Sequence, residues 1–351
     1  MAAPPAADQP LVGSKVNPYS LEADLIKFFQ QTTATRSDCD AVAKELSGGD
    51  LYPVEIQGVC SYTVYAGRQF EYVVQFRLKS LQLRMETARL AKELYGSLAP
   101  DVTFKGVIGT EEDGKEPLFV YLMTRVTGIT YLHFLLMNGM PWHSPQAVEW
   151  RRTLITDVAR FFALAWKQPQ PTEAAYRDQL RQKYLRELHM LLSALPERFH
   201  DIVRHCIDSI DAVFSLPMVL LHQDFRQGNI IVDELTCNLS GVVDWADASI
   251  CPFGLNLHHL EAITGKLHRK YGWVRFRDYD DLQTAFWYTF REEVGALSQN
   301  TMAALSSARV MGFLLSDGFT GRLANQPEPM PIRDDAKGRE NIITLESVLF
   351  R

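Results

Sequence analysis

The chain reads as an α+β protein in two parts, and three observations carry that reading. Short β-type runs separated by turns occupy the first third, apolar residues at helical spacing occupy most of the remainder, and a compact strand-loop-strand segment, Leu220 to Ala248, interrupts those helices. The 351 residues, 46% of them hydrophobic, suffice for a substantial core and for about two domains.

The amino-terminal MAAPPAADQP has no basic region followed by an apolar run, so residues 1–16 read as a disordered tail and not as a secretory signal. Ser20 is placed to cap a helix from about Leu21 to Gln31, whose Leu21, Leu25, Phe28 and Phe29 share one face. β-type runs follow at Val54 to Ile56, Tyr62 to Tyr65 and Tyr72 to Phe76, with Ala66 and Gly67 turning between the second and third. Side chains alternate along a strand, so Gln75 and Arg77 share a face. Leu83 to Tyr95 reads as a helix, and Pro117 to Met123 as an apolar strand leading into Thr124-Arg125-Val126-Thr127-Gly128. Helical periodicity then runs through Val158, Phe161, Phe162, Leu164 and Ala165, and again through Tyr184, Leu188, Leu191 and Leu192. Asn325 to Arg339 is rich in proline and charge and reads as loop, ahead of a terminal helix or strand from Ile342 to Phe350.

Within the interrupting segment, Met218 to Leu221 and Asn229 to Val232 are apolar runs. The polar stretch between them, punctuated by Gly228, is a loop held at both ends. Asn238 to Ser240 signals a turn, and Gly241 to Val243 is a further β run ending at Asp244. Asp224, Asn229 and Asp244 therefore stand on a frame suited to phosphoryl transfer, which needs a group to orient the attacking hydroxyl and hard oxygen ligands for Mg2+. A turn rich in Asp and Asn would give the same Asp-to-Asn spacing alone. The ordered set of three is what separates the two readings. His222, beside the loop, reads as a packed, backbone-bonded residue.

His222-Gln223-Asp224, Asn229 five residues on, and Val243-Asp244-Trp245 resemble the signature of the aminoglycoside and choline phosphotransferases. Phe253 to Glu261 resembles a stretch of their fungal members. The resemblance implies a two-lobed protein-kinase-like fold, with a small antiparallel-sheet N-lobe (17–122) that binds nucleotide, a lobe connector (123–128) and a mainly helical C-lobe (129–351). It implies Asp224 as catalytic base, Asn229 and Asp244 as metal ligands, ATP and Mg2+ as cofactors, and a small-molecule hydroxyl as acceptor. It places Gly58 and Ser61 in a turn over the phosphates, where an ordinary hairpin turn fits as well, and backbone groups of about Met123 to Arg125 against adenine. The family's strand lysine is missing. Gln75 or Arg77 is its substitute, with Glu86 as the candidate ion-pair partner and Glu93 competing. Ala246 stands where the family often has an acid, and the displaced Asp247 reads as a supporting acceptor more than as a direct ligand. Asp247, Asp280 and Asp281 are the acidic candidates for substrate contact, although the latter two also fit a solvated face.

These departures leave two alternatives: a scaffold recruited to cyclisation or isomerisation of a small metabolite, and a nucleotide-binding pseudokinase. The formal net charge of -6, with no long Lys/Arg block, excludes a general nucleic-acid binder. Five scattered cysteines without C-x-x-C spacing indicate neither disulfides nor zinc, and point to reduced thiols and a cytoplasmic protein. The adjacent His258 and His259 face different directions on a helix, which argues against a zinc pair. No apolar run reaches membrane-spanning length, so no membrane partner is expected. Nothing in the sequence indicates an oligomeric state.

Overall fold

The computed structural model describes residues 20–137, 139, 141–268, 270–321 and 323–350. The expected tail, 1–16, lies outside the described residues. Two compact units divide the rest: 20–127 with 323–327, and 128–321 with 328–350.

In the first unit, the Ser20 hydroxyl accepts from Ala23 N at 3.4 Å and starts α1 (Leu21–Phe29). Thr35 and Asp38 form a reciprocal capping box at the start of α2 (Arg36–Ser47), and Gly48 ends it in the left-handed conformation. Then come β1 (Asp50–Pro53), β2 (Ser61–Gly67), β3 (Tyr72–Leu78), α3 (Met85–Tyr95), β4 (Val102–Ile108) and β5 (Leu118–Thr124). The strands pair antiparallel in the order β1-β2-β3-β5-β4. Tyr62, Val64, Val74, Phe76 and Val120 line one sheet face and are buried against Leu25, Phe28, Cys39 and Ala43 of α1 and α2. Alternation puts Ser61, Thr63, Gln75, Arg77 and Tyr121 on the opposite face.

Three details differ from the sequence reading. The first strand ends at Pro53, so Val54 to Ile56 is not strand. The buried Gln57 side chain takes over that backbone: Nε2 donates to Val54 O and Thr63 O, both at 2.9 Å, and Oε1 accepts from Thr63 N at 2.8 Å. Ala66 and Gly67 still belong to β2, and the turn follows them, with Phe70 at a φ of 53°. β4 carries no signal in the sequence because most of its side chains are exposed and a register shift between Phe104 and Gly106 breaks its alternation.

The second unit begins with β6 (Ile129–Thr130), α4 (Tyr131–Met137), α5 (Pro145–Lys167), α6 (Ala174–Ala194), α7 (His200–Asp208) and α8 (Ile210–Phe214). β7 (Met218–Leu221), β8 (Ile230–Val232), β9 (Leu239–Val242) and β10 (Ser249–Pro252) follow. It closes with α9 (Glu261–Thr264), β11 (Gly265–His268), β12 (Gly272–Arg275), α10 (Tyr279–Val294), α11 (Gln299–Asp317) and α12 (Arg339–Leu349). The antiparallel pairings are β6-β8-β9, β7-β10 and β11-β12. The last is a hairpin whose polar residues hide it from a periodicity reading. The terminal segment takes the helical of its two expected forms.

The core centres on α5, whose Phe162 packs edge-on against Phe225, Phe253 and Phe286, each from a different part of the unit. Arg151 of α5 grips Asp278, just ahead of α10, through three hydrogen bonds of 2.9–3.0 Å with both groups largely buried. Among the described residues no helix is long and apolar enough to cross a membrane.

Candidate functional site

The loop between β7 and β8 is fixed from below by its apolar residue. Phe225 is fully buried, stacked on Phe161 at 5.5 Å and edge-on to Phe162 at 5.4 Å, which directs its neighbour Asp224 to the other side of the loop. The main chain turns tightly: Arg226 N donates to Asp224 O (2.9 Å), and Arg226 O accepts from Asn229 N (2.9 Å) and Ile230 N (3.2 Å). His222 is buried, its Nε2 lies 2.8 Å from Val243 O, and its ring stands edge-on to Trp245. Burial pushes its pKa down, against the backbone bond and the nearby Asp244 and Asp224 that act to raise it. The neutral imidazole therefore ties this loop to the end of β9, as the sequence suggests.

Asn229 is the hinge of the arrangement. Its Nδ2 donates to both Asp224 O and Asp224 Oδ2, each at 2.9 Å, so both of its amide hydrogens are spent and Oδ1 is the acceptor this side chain keeps. Its carbonyl accepts from Val243 N at 2.9 Å, which brings the amide alongside the residue preceding Asp244. Asp244 is exposed and left-handed (φ 62°, ψ 64°), a conformation Asp tolerates better than most residues. Trp245 Nε1, donating to Val242 O at 2.9 Å, holds the chain in that turn. An amide oxygen and a carboxylate are hard donors that suit Mg2+. Among the described residues no group of three or more His, Cys, Asp or Glu could enclose a metal ion unaided. The donor set thus fits an ion that keeps other oxygens, from water or phosphate, in its shell.

One participant was missed by the sequence reading. Arg226 Nε lies 3.0 Å from Asp224 Oδ1, and its Nη2 lies 3.6 Å from Asp317 Oδ1 at the end of α11. The available signal was a cation two residues after the candidate base.

In the first unit, the structure joins Ser61, Gln75 and Arg77 but not Glu86. Arg77, 5% exposed, donates from Nε to Leu81 O at 2.7 Å and from Nη1 to Gln75 Oε1 at 3.3 Å. Gln75 Nε2 donates to Ser61 Oγ at 3.2 Å and Thr63 Oγ1 at 3.3 Å. Glu86 is exposed and forms no ion pair among the described residues, while Glu93 pairs with Arg89. Gly58 is exposed, and the turn around it is organised by Gln57, the second residue that sequence reasoning passed over. Met123 is half-buried at the end of β5. Arg125 binds the β2-β3 turn, with N donating to Glu71 O, Nη1 to Phe70 O and the guanidinium 4.1 Å over Tyr65.

The sequence model of the phosphotransferase enzyme family (APH) matches residues 61–257, more than half of the chain. The chain belongs to this family. No curated protein matches the sequence. Among solved structures the chain is similar to a macrolide 2'-phosphotransferase type I, with 16% identity over 81% of this chain and 91% of that one, at a TM-score of 0.50. It is also similar to a protein of Ralstonia eutropha JMP134 described as an aminoglycoside phosphotransferase, with 11% identity over 93% and 94%, again at 0.50. At such identities the likeness shows the fold: this five-stranded antiparallel sheet and helix-rich second unit are the α+β, two-lobed architecture of kinase-like phosphotransferases.

The remaining candidates occupy other surroundings within this family fold. Asp247 is exposed at the end of the short turn after Asp244. Asp280 and Asp281 are exposed in the first turn of α10, where acids offset the helix dipole. Asp278, two residues ahead of Asp280, is the partner of Arg151. His258 and His259 lie with rings 4.0 Å apart, and their Nδ1 atoms lie 2.8 and 3.2 Å from Leu255 O and Asn256 O. Burial pushes His258 down to about 4 and His259 well below the usual histidine range.

Proposed function

We propose that the protein transfers the γ-phosphoryl group of ATP to a hydroxyl of a small molecule, with Mg2+ as the metal. The observation that carries this reading is the Asn229 amide, which orients the Asp224 carboxylate through Nδ2 and leaves Oδ1 for a metal beside Asp244. Membership of a phosphotransferase family agrees with it. Asp224 orients the acceptor hydroxyl and takes its proton as the new oxygen–phosphorus bond forms and the bond to the ADP oxygen breaks. Asn229 Oδ1 and Asp244 hold Mg2+, which when bound neutralises charge on the phosphate oxygens. Gly58, Ser61, Gln75, Met123 and Arg125 are assigned to the nucleotide, with Arg77 bracing Gln75 through Oε1, and Asp247, Asp280 and Asp281 are the candidates for the acceptor.

The test is incubation of purified protein with Mg-ATP and a mixture of hydroxylated metabolites, followed by mass spectrometry. One or more metabolites should gain a single phosphoryl group, and Asp224→Asn and Asp244→Ala should each abolish the gain. Products that form equally in all three proteins would defeat the assignment.

One observation favours a second reading. The buried Arg77 is committed to Leu81 O and Gln75, and Glu86 stands apart, so the phosphate clamp expected of a kinase-like protein is not assembled from these residues. A family scaffold lacking that clamp suits rearrangement of a small metabolite. Product formed without ATP would identify it.

A further inference from the structure

Both oxygens of the Asp224 carboxylate are engaged: Oδ2 by Asn229 Nδ2 at 2.9 Å, and Oδ1 by Arg226 Nε at 3.0 Å. The first contact leaves a base able to work. The second covers the oxygen that an acceptor hydroxyl would otherwise meet. The main chain of Arg226 is pinned by the hydrogen bonds to Asp224 O, Asn229 N and Ile230 N, so any change in this contact must come from the side chain, which is 51% exposed. That side chain has a second anion within reach. Asp317 Oδ1 lies 3.6 Å from Nη2, and the Asp317 side chain is only 19% exposed. Asp317 is the last residue of α11, where a carboxylate meets the negative end of the helix dipole and is favoured only beside a cation.

We infer that Asp317 is a positioning residue that shares Arg226 with Asp224 and draws the guanidinium off Oδ1 when the acceptor hydroxyl arrives. The inference rests on Asp224 being the base, as proposed above. Without Asp317, the guanidinium keeps its contact with Asp224 as its one carboxylate partner among the described residues, and the resting pair becomes an obstruction.

A double-mutant cycle tests this. In Asp317→Asn, which preserves shape, kcat should fall about threefold to tenfold while KM for ATP stays within about twofold. In an Arg226→Ala background, Asp317→Asn should have no further effect, because Asp317 acts only through the guanidinium. Effects that multiply independently would overturn the inference. A second measurement needs no turnover: the Arg226 Nε–H resonance, assigned by its disappearance in Arg226→Lys, should shift and exchange more slowly with water in Asp317→Asn. An unmoved resonance would also overturn the inference. A responsive resonance in a wild-type protein without phosphoryl transfer would reject the phosphotransferase reading and keep the coupling of Asp317 to Arg226.

Discussion

Asn229→Ala separates the geometry of the site from its mere presence. The substitution removes one hydrogen bond to a carboxylate and one to a carbonyl, each 2.9 Å in the native protein. Bonds to charged groups contribute about 1.5–3 kcal/mol and neutral ones about 0.5–1.5 kcal/mol. Asn229 is half-buried, so water replaces part of this, and about 2 kcal/mol is the net loss expected in orienting Asp224. That corresponds to roughly a thirtyfold drop in kcat. The missing Oδ1 should at the same time raise the Mg2+ concentration needed for half-maximal rate. Steady-state release of ADP across a Mg2+ titration measures both, with thermal melting as the control for folding. Asn229→Asp divides the two tasks, since it keeps an oxygen ligand but replaces the donor with a second negative charge beside Asp224. Its kcat should fall without a rise in the Mg2+ requirement. If Asn229→Ala kept kcat within about threefold of wild type and left the Mg2+ dependence unchanged, the proposed role of this amide would be wrong.

Phe225→Ala opens a cavity against Phe161 and Phe162 and should cost about 3–5 kcal/mol, lowering Tm by roughly 10 °C, whereas Phe225→Leu should be mild; equal melting of all three proteins would contradict the packing argument. Burial holds His258 at about 4 and also depresses His222 and His259, so between about pH 6.5 and 4 the unfolded chain binds protons that the folded one does not. Stability is therefore complete above pH 6.5 and should decline below it by up to about 1.4 kcal/mol per pH unit per histidine, a slope that melting curves would reveal and His258→Gln should reduce. Gln75→Ala should raise KM for ATP about tenfold with little change in Tm, while Arg77→Lys should lower Tm more than it changes KM, and the reverse pattern would reassign the phosphate contact to Arg77.

The candidate site of the second unit could be picked out because its residues are local in the chain. Asp224 and Asn229 share one loop, apolar runs bracket it, and Asp244 follows within one turn and one strand, so the set can be read without knowing any long-range contact. Phe225 could not be valued in the same way, because its partners Phe161 and Phe162 lie on α5, far back in the chain. Asp317 is nearly a hundred residues from Arg226, and no spacing rule joins them. The first unit failed at finer scale. Gln57 stops the expected strand at Pro53 by capturing backbone groups of Val54 and Thr63, and a side chain that competes for main-chain bonds leaves no periodic trace. β4 escaped because an exposed, bulged edge strand needs no apolar alternation.

The two units also differ in what their polar atoms have left to offer. On the β2-β3 face, Arg77 spends Nε on a short, buried bond to a carbonyl, and breaking that bond to reach a phosphate would leave a buried acceptor unsatisfied. The Gln75 bonds to Ser61 and Thr63 are longer and shared by a single amide, so they yield at lower cost. A nucleotide bound at this face would therefore draw on Gln75, backbone groups and its own metal, with Arg77 acting as the brace that orients Gln75 through Oε1. Around Asp224 the order is reversed: Asn229 has spent its donor and kept its acceptor, an oxygen of the hard type that suits a divalent cation. Substituting a lysine for the strand's Arg77 would not restore a phosphate clamp in this chain, because the space and the bonds around that side chain already belong to the fold.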